Sequence, residues 1–163
     1  MGARRSGREA ALQMLFQLEA SGATPAMTIE LFWRLFEADP EGRPYADEIV
    51  AGVGASLADV DKAITKASQN WRLERMSRVD RNLLRMSTWE LMRKKDIPRA
   101  VVIDEAVELA KEYGTEDSSG FVNGVLDRIA NDLGRSDDGG AASKGQGNVK
   151  RGSTRPPHRG PGR

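Results

Sequence analysis

The chain has 163 residues, a length typical of one domain, and 39% of them are hydrophobic. It contains no cysteine and one histidine, His158, which excludes disulfides, thiolate metal sites and catalysis by histidine-based triads. The 25 basic and 24 acidic residues nearly cancel. From Arg135 onwards, however, there are seven basic and two acidic side chains, so the preceding residues carry a net charge of −4. The sequence predicts a mildly acidic body followed by a basic tail.

No apolar run reaches the roughly 18 residues that a membrane helix needs. The first apolar stretch, residues 10–18, is interrupted by Gln13 and Gln17, and we expect a cytoplasmic protein. After Leu133 the composition becomes rich in Gly, Ser, Pro and Arg, with almost no large apolar residue. We therefore predict that a folded domain occupies residues 1–134 and that residues 135–163 form a disordered basic tail.

Apolar residues recur at helical spacing along the body, and no stretch alternates in the manner of a strand. We predict a first helix over residues 6–20, a second helix capped by Thr28, and a third that begins near Pro44. The helical pattern continues from Leu57 to Trp71. This range is predicted to be a fourth helix.

Three further helices follow in the carboxyl-terminal half. Ser77 precedes Asp80 by three residues, a spacing that resembles a capping box, and predicts the start of the fifth helix. The sixth opens after Pro98 and ends at Gly114, and the seventh covers residues 118–133. The sequence therefore predicts an all-α fold of about seven helices.

The dipeptide Asn123-Gly124 lies inside the predicted last helix. Asn-Gly is a hairpin signal, but the apolar period passes through it without a phase shift, which favours a continuous helix. Glycine in a helix interior costs about 1 kcal/mol relative to alanine. Either close helix packing or a functional surface should compensate for this cost.

Three arginines, Arg4, Arg5 and Arg8, lie at the start of the first helix. Cations are mildly unfavourable at a helix N-terminus, and contact with RNA phosphates would explain their position. A solvated surface cluster is the alternative. Near the start of the last helix, Phe121 is either a base-stacking or a core residue, and the Asn123 amide is suited to reading base edges.

The sequence resembles the NusB family of transcription antitermination factors over most of residues 4–133. The resemblance is carried by these stretches: Arg-Arg-Ser-Gly-Arg-Glu-Ala-Ala-Leu-Gln at the start, Val79-Asp80-Arg81-Asn82-Leu83-Leu84-Arg85 with Trp89-Glu90-Leu91 in the middle, Ile103-Asp104-Glu105-Ala106-Val107-Glu108-Leu109-Ala110-Lys111, and Phe121-Val122-Asn123-Gly124-Val125-Leu126-Asp127. The last two stretches are the most specific.

The resemblance implies an all-helical fold of two small subdomains, without catalysis, metal or cofactor. It implies binding of the boxA element in leader and ribosomal RNA transcripts, pairing with the ribosomal small-subunit protein NusE, and a place in the RNA polymerase antitermination complex. The chain would act as a monomer or a homodimer.

The resemblance also assigns site residues. The implied RNA-binding residues are Arg4, Arg5, Arg8, Gln13, Tyr113, Phe121 and Asn123. The implied partner-binding residues are Phe16 and Asp80, for which core packing and helix capping are the respective alternatives. Two other functions stay open: a helical protein-interaction module, and a stand-alone relative of the NusB-like domain found in ribosomal RNA cytosine methyltransferases. Those enzymes need a catalytic cysteine, which this sequence does not contain.

Overall fold

The computed structural model describes residues 2–136, and within this range it consists of α-helices joined by short loops, with no β-strand. The seven α-helices are α1 (Ala3–Ser21), α2 (Pro25–Leu35), α3 (Arg43–Ala55), α4 (Leu57–Ala67), α5 (Arg78–Arg93), α6 (Arg99–Tyr113) and α7 (Ser118–Asp132). Short 3-10 turns cover Pro40–Gly42 and Leu73–Arg75. The predicted all-α fold is confirmed, whereas most of the predicted tail lies outside the described residues.

The helices form two subdomains around one continuous core. Helices α1, α2 and α3 pack on one another, and α4 to α7 form the second group. Helix α5 joins the groups because it packs against α1 and α3 as well as against α4, α6 and α7. Its side chains Leu83, Leu84, Met86 and Leu91 are fully buried. No helix in the described part of the chain combines the length and the apolar character needed to cross a membrane.

The observed start of α2 differs from the prediction. The helix is capped by Thr24, whose Oγ1 accepts a hydrogen bond from the Met27 N–H at 3.2 Å, and Pro25 occupies the first helical position. The predicted cap, Thr28, was wrong. Thr28 lies buried inside the helix and its hydroxyl donates to the Thr24 carbonyl at 3.0 Å. Proline suits a first helical position because its missing N–H needs no partner there.

The predicted continuation of α4 to Trp71 was also wrong, because the helix ends at Ala67. The Ser68 hydroxyl donates to the Ile64 carbonyl at 2.7 Å, and Ser68 is followed by a turn. Serine favours such local bonds over continuation of a helix. Trp71 therefore lies in the loop before α5, where 58% of its surface is exposed.

The connection between α6 and α7 fixes where α7 begins. Gly114 ends α6 as predicted, and a Cβ at this position would lie 2.4 Å from the Ser118 Oγ. The glycine thus permits a close approach to Ser118, whose Oγ accepts a hydrogen bond from the Thr115 N–H at 2.9 Å. This short loop places the first turn of α7, with Phe121, beside the loop that carries Trp71.

Candidate nucleic-acid and partner interface

The first turn of α1 presents two arginines to solvent, since the helix begins three residues earlier than predicted. The side chains of Arg4 and Arg5 are each 51% exposed. Arg4 Nη2 lies 3.3 Å from Asp96 Oδ2 in the loop between α5 and α6. Arg5 makes two hydrogen bonds to the Glu105 carboxylate, at 2.7 and 3.1 Å. Both arginines are therefore paired on one side and open to an anion on the other.

The third arginine of the cluster has a different environment. Arg8 is 4% exposed, and its guanidinium donates to both carboxylate oxygens of Glu90 at 2.8 to 3.1 Å. Glu90 is 1% exposed. Arg8 thus has an internal partner, and an RNA contact by Arg8, which stays a prediction, would require this pair to rearrange. We leave Arg8 out of the accessible surface.

A groove between α1 and α6 follows the two exposed arginines. This cavity of about 420 Å³ is lined by Arg5, Glu9, Glu105, Glu108, Leu109, Lys111 and Glu112. The hydrogen bond from Arg5 lowers the pKa of Glu105. Burial raises the pKa of Glu9, and the nearby Glu112 carboxylate raises it further. The groove is therefore predominantly acidic beyond Arg5, and an RNA phosphate would be repelled from most of it.

Gln13 and Tyr113 lie together at the far end of this groove. Gln13 is exposed on α1, and Tyr113 is the last residue of α6. Burial raises the pKa of the Tyr113 hydroxyl, and a hydrogen bond with the Gln13 side chain partly offsets that rise. Gln13 is eight residues beyond Arg5, or about 12 Å along the helix axis. The structure thus brings these two predicted residues together, at a distance from the arginines.

An aromatic cleft lies between the loop before α5 and the start of α7. The ring centroids of Trp71 and Phe121 are 6.1 Å apart, and the rings meet edge to face. A groove of about 320 Å³ on one side is lined by Trp71, Arg75, Met76, Ser77, Asp80, Asp117 and Phe121. A groove of about 220 Å³ on the other is lined by Ser68, Asn70, Trp71, Gly120, Phe121, Gly124, Val125 and Arg128. We call the two grooves together the Trp71–Phe121 cleft.

The glycine predicted to need compensation, Gly124, forms part of this cleft. A Cβ built at Gly124 or at Gly120 would meet no atom within 4 Å, so neither glycine allows close helix packing. Of the two explanations given above for Gly124, only a functional surface agrees with this geometry. Residues 120, 124 and 128 share one face of α7, which places Arg128 beside the two glycines. Asn123 is exposed on the same helix.

Asp80 has an unsatisfied carboxylate oxygen. The Asp80 N–H donates to Ser77 Oγ at 3.1 Å, which confirms Ser77 as the cap of α5. Asp80 Oδ1 is buried and has no hydrogen-bond partner among the described residues. The capping box is thus formed in one direction only, and the carboxylate faces the Trp71–Phe121 cleft, which it helps to line. A buried acceptor without a partner costs about 1–3 kcal/mol, so binding of a donor here is favoured.

Phe16 lies on the α1 surface near the start of α5. Its ring is 38% exposed, and the Arg78 guanidinium carbon lies 5.3 Å from the ring centroid. Arg78 is the first residue of α5, two positions before Asp80. The two predicted partner-binding residues, Phe16 and Asp80, therefore flank the same helix terminus. Core packing alone does not describe Phe16, because a large part of its ring meets solvent.

Sequence analysis missed Trp71, Asn70 and Arg128 as site residues. Trp71 continues the apolar spacing of α4, so the sequence pattern indicated a core position. Its exposure depends on the end of α4 at Ala67, which the pattern did not indicate. The one available signal was the unexplained Gly124, which lies in the same cleft.

Exposed arginines at a helix terminus and an open aromatic cleft are features of all-helical proteins that bind nucleic acid. The NusB family model matches residues 5–131. The chain belongs to the NusB family, which confirms the resemblance seen in the sequence.

Individual relatives agree with this assignment. Transcription antitermination protein NusB of Sorangium cellulosum (strain So ce56) is 65% identical over 137 residues, covering 84% of this chain and 98% of the relative. NusB of T. maritima is 40% identical with a TM-score of 0.70, over 78% of this chain and 90% of that one. A crystal structure of the antitermination factors NusB and NusE in complex with dsRNA matches with a TM-score of 0.71 and 26% identity, over 80% of this chain and 97% of the other.

Proposed function

We propose that the chain is a transcription antitermination factor that binds boxA-type RNA together with NusE and supports ribosomal RNA transcription within the RNA polymerase antitermination complex. The names of its relatives support this function, since the family members of known sequence are antitermination proteins. A related NusB has been crystallised with NusE and RNA. The role requires no catalytic group and no cofactor, and it is exercised in the cytoplasm where transcripts are made.

The observation that carries the proposal is the Trp71–Phe121 cleft. Stacking of an unpaired base on an aromatic side chain contributes about 1–3 kcal/mol, and Trp71 exposes most of its indole for such a contact. The two glycines on α7 leave the approach to Phe121 open. Arg128 lies on the same face and can neutralise a phosphate of the bound strand. An unpaired RNA base with its phosphate therefore fits the cleft.

Arg4 and Arg5 provide a second, electrostatic contact with RNA. Each neutralised phosphate releases counterions, so binding should weaken with salt. The acidic groove separates these arginines from the pair Gln13 and Tyr113. We propose that the bound strand contacts the first turn of α1 and the aromatic end of the molecule, and passes over the groove between them without entering it.

NusE is assigned to the surface around the start of α5. Phe16 offers an exposed aromatic ring there, and Asp80 offers an acceptor without an internal partner. A basic or amide donor from NusE would satisfy the Asp80 carboxylate. Asp80 also lines the Trp71–Phe121 cleft, so the RNA and protein surfaces adjoin at this residue.

The test is a titration of the full chain with boxA RNA and with a scrambled RNA of equal length. We expect boxA to bind more tightly, and Trp71→Ala and Phe121→Ala each to weaken boxA binding by the equivalent of about 1–3 kcal/mol. Val101→Ala, which trims an exposed side chain on α6, is the matched control and should not affect binding. Equal affinity for both RNAs would instead support the interaction-module alternative.

A further inference from the structure

Helix α2 carries an apolar stripe that no other element of the described chain covers. Met27, Leu31 and Leu35 are 54%, 43% and 68% exposed. They are spaced four residues apart, so they lie on one face of the helix. The opposite side packs against α1 and α3, where Phe32 is 1% exposed. The stripe is therefore additional to the face that α2 needs for folding.

The stripe is symmetric about its central residue. Met27 and Leu35 each lie four residues from Leu31, or about 6 Å along the axis in either direction. If a second α2 packs antiparallel with the dyad at Leu31, Leu31 meets Leu31 and Met27 meets Leu35 in both directions. This is the pattern of an isologous contact, in which residue i of one copy meets residue j of the other and the reverse.

The charges beside the stripe have the same symmetry. Glu30 and Arg34 are both exposed and form an ion pair at 2.9 Å on one flank of the stripe. A dyad at Leu31 places the same flank of both helices on the same side of the interface, running in opposite directions. Glu30 of one copy then lies near Arg34 of the second copy, and the reverse. Opposite charges meet in both halves of such an interface.

We propose that this protein self-associates through α2, with the stripe of Met27, Leu31 and Leu35 packed antiparallel on the same stripe of a second copy. The apolar contact and the charge pattern both favour a second copy over an unrelated partner, because both are complementary to themselves. One helix face contributes less than the roughly 800 Å² per partner of a standard interface, so the dimer should be weak and concentration-dependent.

Sedimentation velocity of the full chain over a wide concentration range is the first test. We expect a reversible monomer–dimer equilibrium, and Leu31→Lys should raise the dimer Kd by about tenfold or more, because it places two like charges at the dyad. Val101→Lys, at a similarly exposed site on α6, is the matched control and should dimerise like the parent chain. Melting curves establish that both variants are folded.

A charge exchange then tests the antiparallel arrangement itself. Glu30→Arg alone and Arg34→Glu alone should each weaken the dimer, since like charges then face each other across the dyad. The double variant Glu30→Arg/Arg34→Glu should restore dimerisation to near the parent level. A parent chain that stays monomeric at every concentration, a dimer unaffected by Leu31→Lys, or a double variant no better than the single ones would overturn the proposal.

Discussion

Arg8 of α1 and Glu90 of α5 form a bidentate ion pair inside the protein, with both side chains excluded from water. The pair joins the two subdomains, because α1 belongs to the first and α5 to the second. The Tyr45 ring of α3 lies against it, with its centroid 5.5 Å from the Arg8 guanidinium carbon. Arg8 is therefore a structural residue in this fold, although the sequence groups it with the two exposed arginines.

Removing the Arg8 side chain should destabilise the fold strongly. Arg8→Met leaves the Glu90 carboxylate buried without its counterion, and breaking a buried pair in this way costs about 3–5 kcal/mol. Arg5→Met, at a half-exposed pair, should cost about 1 kcal/mol or less. Urea unfolding of the parent and both variants measures the difference.

The double variant Arg8→Met/Glu90→Leu is the control for this first prediction. Replacing both charges with apolar side chains removes the uncompensated charge, so most of the lost stability should return. If Arg8→Met were as stable as Arg5→Met, the buried pair would not exist in solution.

Neutralising Glu105 should strengthen RNA binding. Glu105 holds Arg5 with two hydrogen bonds, and this pairing competes with phosphates for the same guanidinium. In Glu105→Gln, Arg5 is free to neutralise a phosphate, so affinity at low salt should rise several-fold and the salt dependence should steepen by up to about one unit of slope. Glu30→Gln on α2 is the control. An unchanged affinity and slope for Glu105→Gln would mean that Arg5 does not meet RNA.

The sequence predicted the helices well because each carries an apolar stripe of its own. Helices α5, α6 and α7 begin where Ser77, Pro98 and Ser118 indicated. The errors concern ends that depend on competing local bonds. Thr24 and Thr28 are both plausible caps by residue type, and only Pro25 at the first helical position decides between them. The spacing of Trp71 similarly concealed the end of α4.

The candidate site was less predictable because exposure and pairing are tertiary properties. Arg4, Arg5 and Arg8 look equivalent in the sequence, but the position of Glu90 across the core separates Arg8 from the others. Likewise, nothing in the sequence shows that Trp71 meets Phe121, since the two are brought together by the packing of α4 and α5 on α7.

Asp80 is expected to contribute to NusE binding without being essential to the fold. Its carboxylate does not cap α5, since Ser77 does, and its buried Oδ1 has no partner among residues 2–136. Asp80→Asn should therefore keep the parent melting temperature and lose part of the NusE affinity, and Asp80→Lys should lose more if NusE presents basic groups. Calorimetric titration with NusE checks both variants, with Glu116→Lys at an exposed position as the control. Unchanged NusE binding by both would remove Asp80 from the interface.

Glu19 should make stability depend on pH in the acid range. Burial raises the pKa of Glu19, but hydrogen bonds from Arg81 and Asn82 outweigh it, and the net shift is downward. An acid whose pKa is lowered by folding adds stability above its unfolded pKa of about 4.3, and this stability is lost as the pH falls through the folded pKa. The stability difference between the parent and Glu19→Gln should thus be largest near neutral pH and shrink below about pH 4.3. Chemical unfolding at a series of pH values measures it, and a difference independent of pH would contradict the assignment.

The folded domain should end after Arg135 rather than at Gly134, where the composition changes. The Arg135 guanidinium donates to the Leu91 carbonyl at 2.6 Å and also to the Ile97 carbonyl, and its backbone N–H donates to the Ala130 carbonyl at 2.9 Å. These bonds tie the end of α7 to the end of α5 and to the loop that follows it. Truncation after Ser136 should therefore leave the melting temperature of the full chain unchanged.

Truncation after Gly134 should lower the stability by about 1–3 kcal/mol, because it leaves two carbonyls near the end of α5 without their donor. Arg135→Ala in the full chain separates the side chain from the backbone contribution, and it should reproduce most of the loss. Thermal melts of the four proteins provide the comparison. Equal melting temperatures for the two truncations would show that Arg135 adds no stability and that residue 134 is the true end of the domain.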